Sequence, residues 1–171
     1  MKIIIIGLGL IGGSIAKTLS SSQDYEIFAF DSDQNSIKNA LDNQSIQGSL
    51  HSIDDLRNAE YEDSVVIIAT PPSATDDILK SLDFLFNSSV TITDTTSAKS
   101  SLNKTLQEFN FPKNFIFSHP VAGSHLSGIK NSVANLFNKK STIKLFNLHD
   151  QSTFLKASYF QSLLMVFLLL S

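Results

Sequence analysis

Apolar residues in this chain occur as short, unbroken, mostly β-branched runs separated by longer stretches of mixed character. Lys2 to Ile6 (KIIII) is the first and stops at a glycine. A run with no polar alternation predicts a strand covered on both faces, as in a parallel sheet. Similar runs predict strands at Glu26 to Phe30, Ser64 to Ala69, Val90 to Thr93 and Phe115 to Ser118, with a last one at Thr142 to Phe146. Between them, mixed stretches predict helices over Ile11 to Leu19, Asp33 to Leu41, Ala74 to Phe86 and Ala98 to Phe109, and a further one over Gly128 to Phe137. Asp33 and Ser73 have the chemistry of N-caps.

Repeated strand–helix alternation predicts a Rossmann-type α/β domain: a doubly wound, mostly parallel sheet with helices on both faces and right-handed crossovers. The expected extent is residues 1–150. Ligands of such sheets bind beyond the carboxyl ends of the strands. The residues that follow the predicted strands are Gly7 to Gly12, Asp31, Thr70 to Pro72, Asp94 to Lys99 and His119 to Ser127. The chemically interesting clusters therefore fall on one edge.

The first cluster, GLGLIGGS, has the G-x-G-x-x-G spacing between a strand and a helix. Gly7 is expected to make the tight turn, Gly9 to admit a pyrophosphate, and Gly12 to let helix and strand pack closely. The amides of Leu10 and Ile11 would then face phosphates at a helix start. Asp31 stands where a carboxylate accepts from ribose hydroxyls and repels a 2′-phosphate, which favours NAD over NADP. Thr70, Pro71 and Pro72 have two readings, a rigid wall beside the adenosine half or a strand end closed by prolines.

Composition narrows the setting. The 171 residues are 42% hydrophobic with a formal net charge of −3, so a nucleic-acid or anionic-membrane surface is not expected. Cysteine is absent, which excludes disulfides and thiolate metal sites; no metal ligands are expected. With no signal-peptide pattern after Met1, a cytoplasmic protein is the expectation. The apolar run at Leu163 to Leu170 is too short to span a bilayer as a helix.

The chain also contains D-x-x-S-x-K at Asp94, Ser97 and Lys99, and HP-x-AG-x-x-x-SG at His119 to Gly128. With GLGLIGGSIA and Asp31, these motifs resemble the prephenate/arogenate dehydrogenases of tyrosine biosynthesis, over Met1 to about Lys140. The resemblance implies oxidative decarboxylation of prephenate to 4-hydroxyphenylpyruvate with NAD. His119 would take the proton of the substrate hydroxyl, and Ser97 would orient that hydroxyl and contact cofactor and substrate. Substrate contacts would also come from Lys99, Ser124 and Ser127. Lys99 has a second reading as an exposed first-turn lysine, and Ser127 a second reading as a helix cap. His51 and His149 match no motif.

Two departures stand out. His125 occupies a position that is often acidic in the family. Family members also continue into an all-helical domain that dimerises, completes the pocket and supplies cations for the substrate carboxylates. Here residues 151–171 read as an apolar helical tail, a remnant or an aberrant C-terminus, and Arg57 is the single arginine. The chain end reads as that of a truncated or frameshifted product, or as a boundary chosen within a longer protein. Activity is left open between an enzyme and a non-catalytic NAD-binding module. Arogenate dehydrogenase or another Rossmann dehydrogenase remains a further reading.

Overall fold

The computed structural model describes residues 1–97, 99–120, 128–137 and 142–145. The expected tail at 151–171 and the loop 121–127, with Ser124, His125 and Ser127, lie outside the described residues. The elements in chain order are β1 (Lys2–Ile6), α1 (Leu10–Leu19), β2 (Glu26–Phe30), α2 (Gln34–Asp42), β3 (Gly48–Ser49), β4 (Val65–Ile68), α3 (Pro72–Ser81), β5 (Thr91–Asp94), α4 (Lys99–Glu108), β6 (Phe115–Pro120) and β7 (Thr142–Leu145). The strands form one sheet in the order β3-β2-β1-β4-β5-β6-β7. All neighbours are parallel except β6 and β7, which run antiparallel. This is the expected doubly wound sheet, with its reversal of strand order between β1 and β4.

Strand periodicity sorts the core. Ile3 and Ile5 of β1 point to one face, where they pack with Ile15, Ala16 and Leu19 of α1 and Ile37 and Ala40 of α2. Ile4 and Ile6 point to the other, against Leu79 of α3 and Leu102 and Leu106 of α4. All four isoleucines are buried, which is why the run carries no polar alternation. Fully burying each such side chain contributes about 1.5–3 kcal/mol.

The structure departs from the expected elements at three places. The helix expected over 74–86 is α3, which starts at Pro72 with Pro71 as its N-cap and ends at Ser81. Proline fits the first helical position because its missing N–H would be unpaired there anyway. The Pro71 carbonyl then accepts from Ala74 N–H at 2.9 Å and Thr75 N–H at 3.2 Å, so Ser73 is not the cap. Asp83–Leu85 forms a separate 3₁₀ turn.

The helix expected over 128–137 is a 3₁₀ turn at Ile129–Asn131 followed by irregular backbone. Its polar groups bond to α1 instead. Lys17 Nζ donates to the Ser132 carbonyl at 2.7 Å, Thr18 Oγ1 to the Ala134 carbonyl at 2.6 Å, and Val133 N–H to Ser14 Oγ at 3.0 Å. Phe137 closes this segment onto the core, 1% exposed.

The third departure concerns Gly48–Ser49, a strand too short to leave a hydrophobic signature. Asp33 does cap α2, accepting from Asn35 N–H at 3.0 Å. This bond and one from the Ser36 hydroxyl hold the Asp33 carboxyl below its ordinary value.

Candidate active site

Backbone hydrogen bonds bring the strand ends into line. Gly7 N–H donates to the Phe30 carbonyl at 2.8 Å, Ala69 N–H to Ile6 at 2.7 Å, and Thr95 N–H to Ile68 at 3.0 Å. The carboxyl ends of β2, β1, β4, β5 and β6 therefore stand side by side. A cavity of about 680 Å³ runs along them. Four inter-strand spacings of about 4.8 Å put its Asp31 end roughly 19 Å from its His119 end. The cavity is elongated and suits a ligand longer than a single ring.

At one end the glycine loop forms the wall. Gly7 has φ +97°, which favours glycine, and a Cβ there would lie 2.8 Å from the Ala69 carbonyl oxygen. A Cβ on Gly12 would lie 1.9 Å from the Gly7 carbonyl oxygen. A Cβ on Gly9 would meet no protein atom within 4 Å. Gly9 lines the cavity, so that empty volume opens into it. Gly9 is also the N-cap of α1 and makes no side-chain cap bond. The first-turn amides, which have no helical partners, are left for an anion. Leu10 and Ile11 line the cavity beside them. These features fit a bound phosphate group.

Asp31 lies at the cavity edge with both oxygens already fixed. Oδ2 accepts from Leu8 N–H at 2.6 Å and Oδ1 from Asp33 N–H at 2.8 Å. Each oxygen keeps a lone pair, so the carboxylate is oriented without being consumed. Thr70, Pro71 and Pro72 form the opposing wall with Ala74 and Ile78 of α3.

Ser97 and His119 line the far end, together with Thr95, Thr96, Pro120 and Gly128. His119 Nδ1 lies 3.4 Å from the Thr95 carbonyl. A carbonyl only accepts, so this long contact calls for a proton on Nδ1. In the neutral ring Nε2 is then the acceptor. Among the described residues lining the cavity there is no lysine or arginine. Lys99 is turned away. Its ammonium pairs with the buried carboxylate of Asp94 and donates to the Ser118 carbonyl. The structure thus assembles Gly7, Gly9, Leu10, Ile11, Asp31, Thr70, Pro71, Pro72, Ser97 and His119 on one cavity and sets Gly12 and Lys99 behind it.

A family model described as the nucleotide-binding domain of prephenate dehydrogenase matches residues 15–153. The chain belongs to that family. Among its relatives is a prephenate dehydrogenase of Lactococcus lactis, 36% identical over 140 residues, which are 80% of this chain and 38% of that protein. A cyclohexadienyl dehydrogenase of Zymomonas mobilis is 32% identical over 154 residues, 86% of this chain and 50% of that protein. This chain therefore spans half or less of the curated relatives it matches.

The prephenate dehydrogenase of A. aeolicus, solved with hydroxyphenyl propionate and NAD+, superposes with a TM-score of 0.83 at 26% identity, over 100% of this chain and 57% of that one. A Synechocystis arogenate dehydrogenase shares the fold with a TM-score of 0.79 at 24% identity, over 99% of this chain and 57% of that one.

The family's nucleotide-binding role agrees with the glycine wall and the open helix start. Phe30, Ser32, Ala74 and Ile78 are further wall residues that no sequence motif marks. The first two flank Asp31 at a strand end. Ala74 and Ile78 are four apart on α3, so the same helix face that begins behind the prolines continues along the cavity. No described helix is long and apolar enough to cross a membrane.

Proposed function

We propose that this chain supplies the NAD-binding and proton-accepting half of a prephenate dehydrogenase of tyrosine biosynthesis, acting in the cytoplasm. The observation that carries the reading is one cavity holding a phosphate-type glycine wall with Asp31 at one end, and Ser97 with His119 at the other. NAD, when bound, supplies the hydride acceptor. The chain's own residues orient and deprotonate. The first-turn amides of α1 hold the pyrophosphate, and Asp31 accepts from the adenosine ribose hydroxyls. Ser97 orients the substrate hydroxyl, and Nε2 of His119 takes its proton. Loss of the substrate carboxylate as carbon dioxide makes the ring aromatic, so the protein's task is mainly alignment and removal of one proton.

Prephenate carries two carboxylates, and the described cavity wall offers no cation to meet them. The cations that bind these carboxylates are proposed to come from residues outside those described, as is the surface through which copies pair. The relatives' names include a cyclohexadienyl dehydrogenase, and a structural neighbour is an arogenate dehydrogenase. The substrate assigned here is prephenate, with arogenate as the comparison to run beside it.

Calorimetry with NAD, followed by NADH formation on adding prephenate, tests the proposal. Binding with turnover is the expected result. Binding without turnover would leave a nucleotide-binding module. No binding by folded protein would remove both.

Asp31 gives a second measurement. Asp31→Asn keeps the shape of the side chain and removes its charge. A charge-assisted bond is worth about 1.5–3 kcal/mol, so NAD should weaken roughly tenfold or more. NADP should weaken less, since the repulsion of its 2′-phosphate is relieved. An unchanged ratio of NAD to NADP affinity would remove Asp31 from the ribose site.

A further inference from the structure

Asp94 and Lys99 have no part in the reading above. Asp94 ends β5 and is 0% exposed. A carboxylate persists in such a place only if its charge is paired and its lone pairs are bonded. Both conditions are met. Oδ2 accepts from the Thr96 N–H at 3.0 Å and the Thr96 hydroxyl at 2.7 Å, and pairs with the Lys99 ammonium. Oδ1 faces the Ser118 N–H at 3.4 Å. The same ammonium donates to the Ser118 carbonyl at 2.6 Å. Burial pushes Lys99 below the ordinary lysine value, and Asp94 draws it back up.

This cluster sits where two strands part. The paired register of β5 and β6 ends at Thr93 and Ile116. Past that point side chains replace the backbone ladder. The Thr93 hydroxyl donates to the Ile116 carbonyl at 2.7 Å, and the Ser118 hydroxyl donates to the Asp94 carbonyl. Lys99 adds the longest link, from the first turn of α4 to the peptide that leads into His119. Ser97 lies in the chain between Asp94 and Lys99, so both ends of its loop are tied to β6.

We propose that Asp94 and Lys99 are positioning residues for the Ser97–His119 pair. Their bridge, through its links to the Ser118 peptide, fixes the distance between the loop carrying Ser97 and the strand end carrying His119. The Lys99 ammonium is held at once by the Asp94 carboxylate and the Ser118 carbonyl, and charge-assisted bonds are shorter and stronger than neutral ones, so the bridge holds this spacing more stiffly than a neutral contact would. Its consequence for turnover rests on the proposed role of His119. Its consequence for geometry does not.

The test uses imidazole proton–nitrogen spectra of the full chain, with the His119 signals assigned from a His119→Asn variant. Lys99→Met breaks the bridge and strands the Asp94 charge. Asp94→Asn/Lys99→Met breaks the bridge without stranding a charge, and it serves where the single variant does not fold. In the folded double variant, nuclear Overhauser contacts between the His119 ring and the Thr95 to Ser97 loop should weaken and the ring signals shift, while those of His51 stay in place. NAD affinity should remain within about threefold, because the glycine wall is untouched. In protein that turns over prephenate, kcat should fall by roughly tenfold or more with KM for NAD nearly constant. His119 contacts and signals identical to the wild type in the folded double variant would overturn the proposal. Failure of the wild type to bind NAD would instead overturn the functional reading, and the comparison of His119 contacts would still decide this one.

Discussion

His119→Asn is expected to lower prephenate-dependent NADH formation about 10²–10⁴-fold, the usual contribution of a positioned general base. Asparagine can still donate to the Thr95 carbonyl from its amide, so the ring's contact with that carbonyl has a substitute. It has no basic nitrogen to take the substrate proton. NAD affinity should change by less than about threefold, because Asp31 and the glycine wall stand at the other end of the cavity. KM and kcat separate the cases. A fall in kcat with an unchanged NAD affinity identifies a group that acts on the reacting hydroxyl. A parallel loss of NAD binding would mean that His119 shapes the cavity and does no proton chemistry.

The second large effect contrasts two glycines three residues apart. Gly12→Ala forces a methyl group to within 1.9 Å of the Gly7 carbonyl oxygen, and both partners are backbone or attached directly to it. Helix α1 and the turn after β1 must move apart. Such overpacking costs about 1–3 kcal/mol, occasionally more, and a thermal melt should show it. The same movement spoils the phosphate wall, so NAD affinity should fall as well.

Gly9→Ala is expected to separate those two effects. Gly9 has φ −72°, which alanine adopts freely, and the added methyl meets no protein atom. Stability should fall by no more than about 1 kcal/mol, the N-cap preference of glycine over alanine. The methyl stands in ligand space, so NAD should still bind at least roughly tenfold more weakly. A Gly9→Ala protein that binds NAD normally would remove the glycine wall from the nucleotide site.

The parts of this fold that were legible in the sequence are those where one interaction dominates. The run KIIII is buried on both sides, and its composition says so directly. Asp33 caps α2 because a carboxylate at a helix start has few better bonds to make. The glycine spacing was readable because each glycine answers a steric demand set within the same loop or by the strand beside it.

Other features depended on partners far along the chain. Residues 128–137 have an acceptable helical composition, yet their backbone bonds to Ser14, Lys17 and Thr18, 115 residues away in the case of Lys17. No local pattern encodes that. The local sequence allows Lys99 to be either a substrate contact or an exposed lysine. Instead it pairs with the carboxylate of Asp94, 0% exposed. The motif that joins Asp94, Ser97 and Lys99 held the clue, since an acid at the end of a buried strand needs a nearby cation.

The segment laid across α1 also has a consequence for the order of assembly during synthesis. A Cβ on Gly13 would come within 2.9 Å of Ser132 Oγ, so the fourth glycine of the loop serves this distant segment. The outer face of α1 is therefore unfinished until the ribosome has added the residues around Ser132. At about 5–20 residues per second, the 115-residue gap from Lys17 to Ser132 takes roughly 6–23 s to translate. Through that interval β1 and α1 wait for their last partner, and the nascent helix presents a glycine notch that only the late-arriving chain can fill.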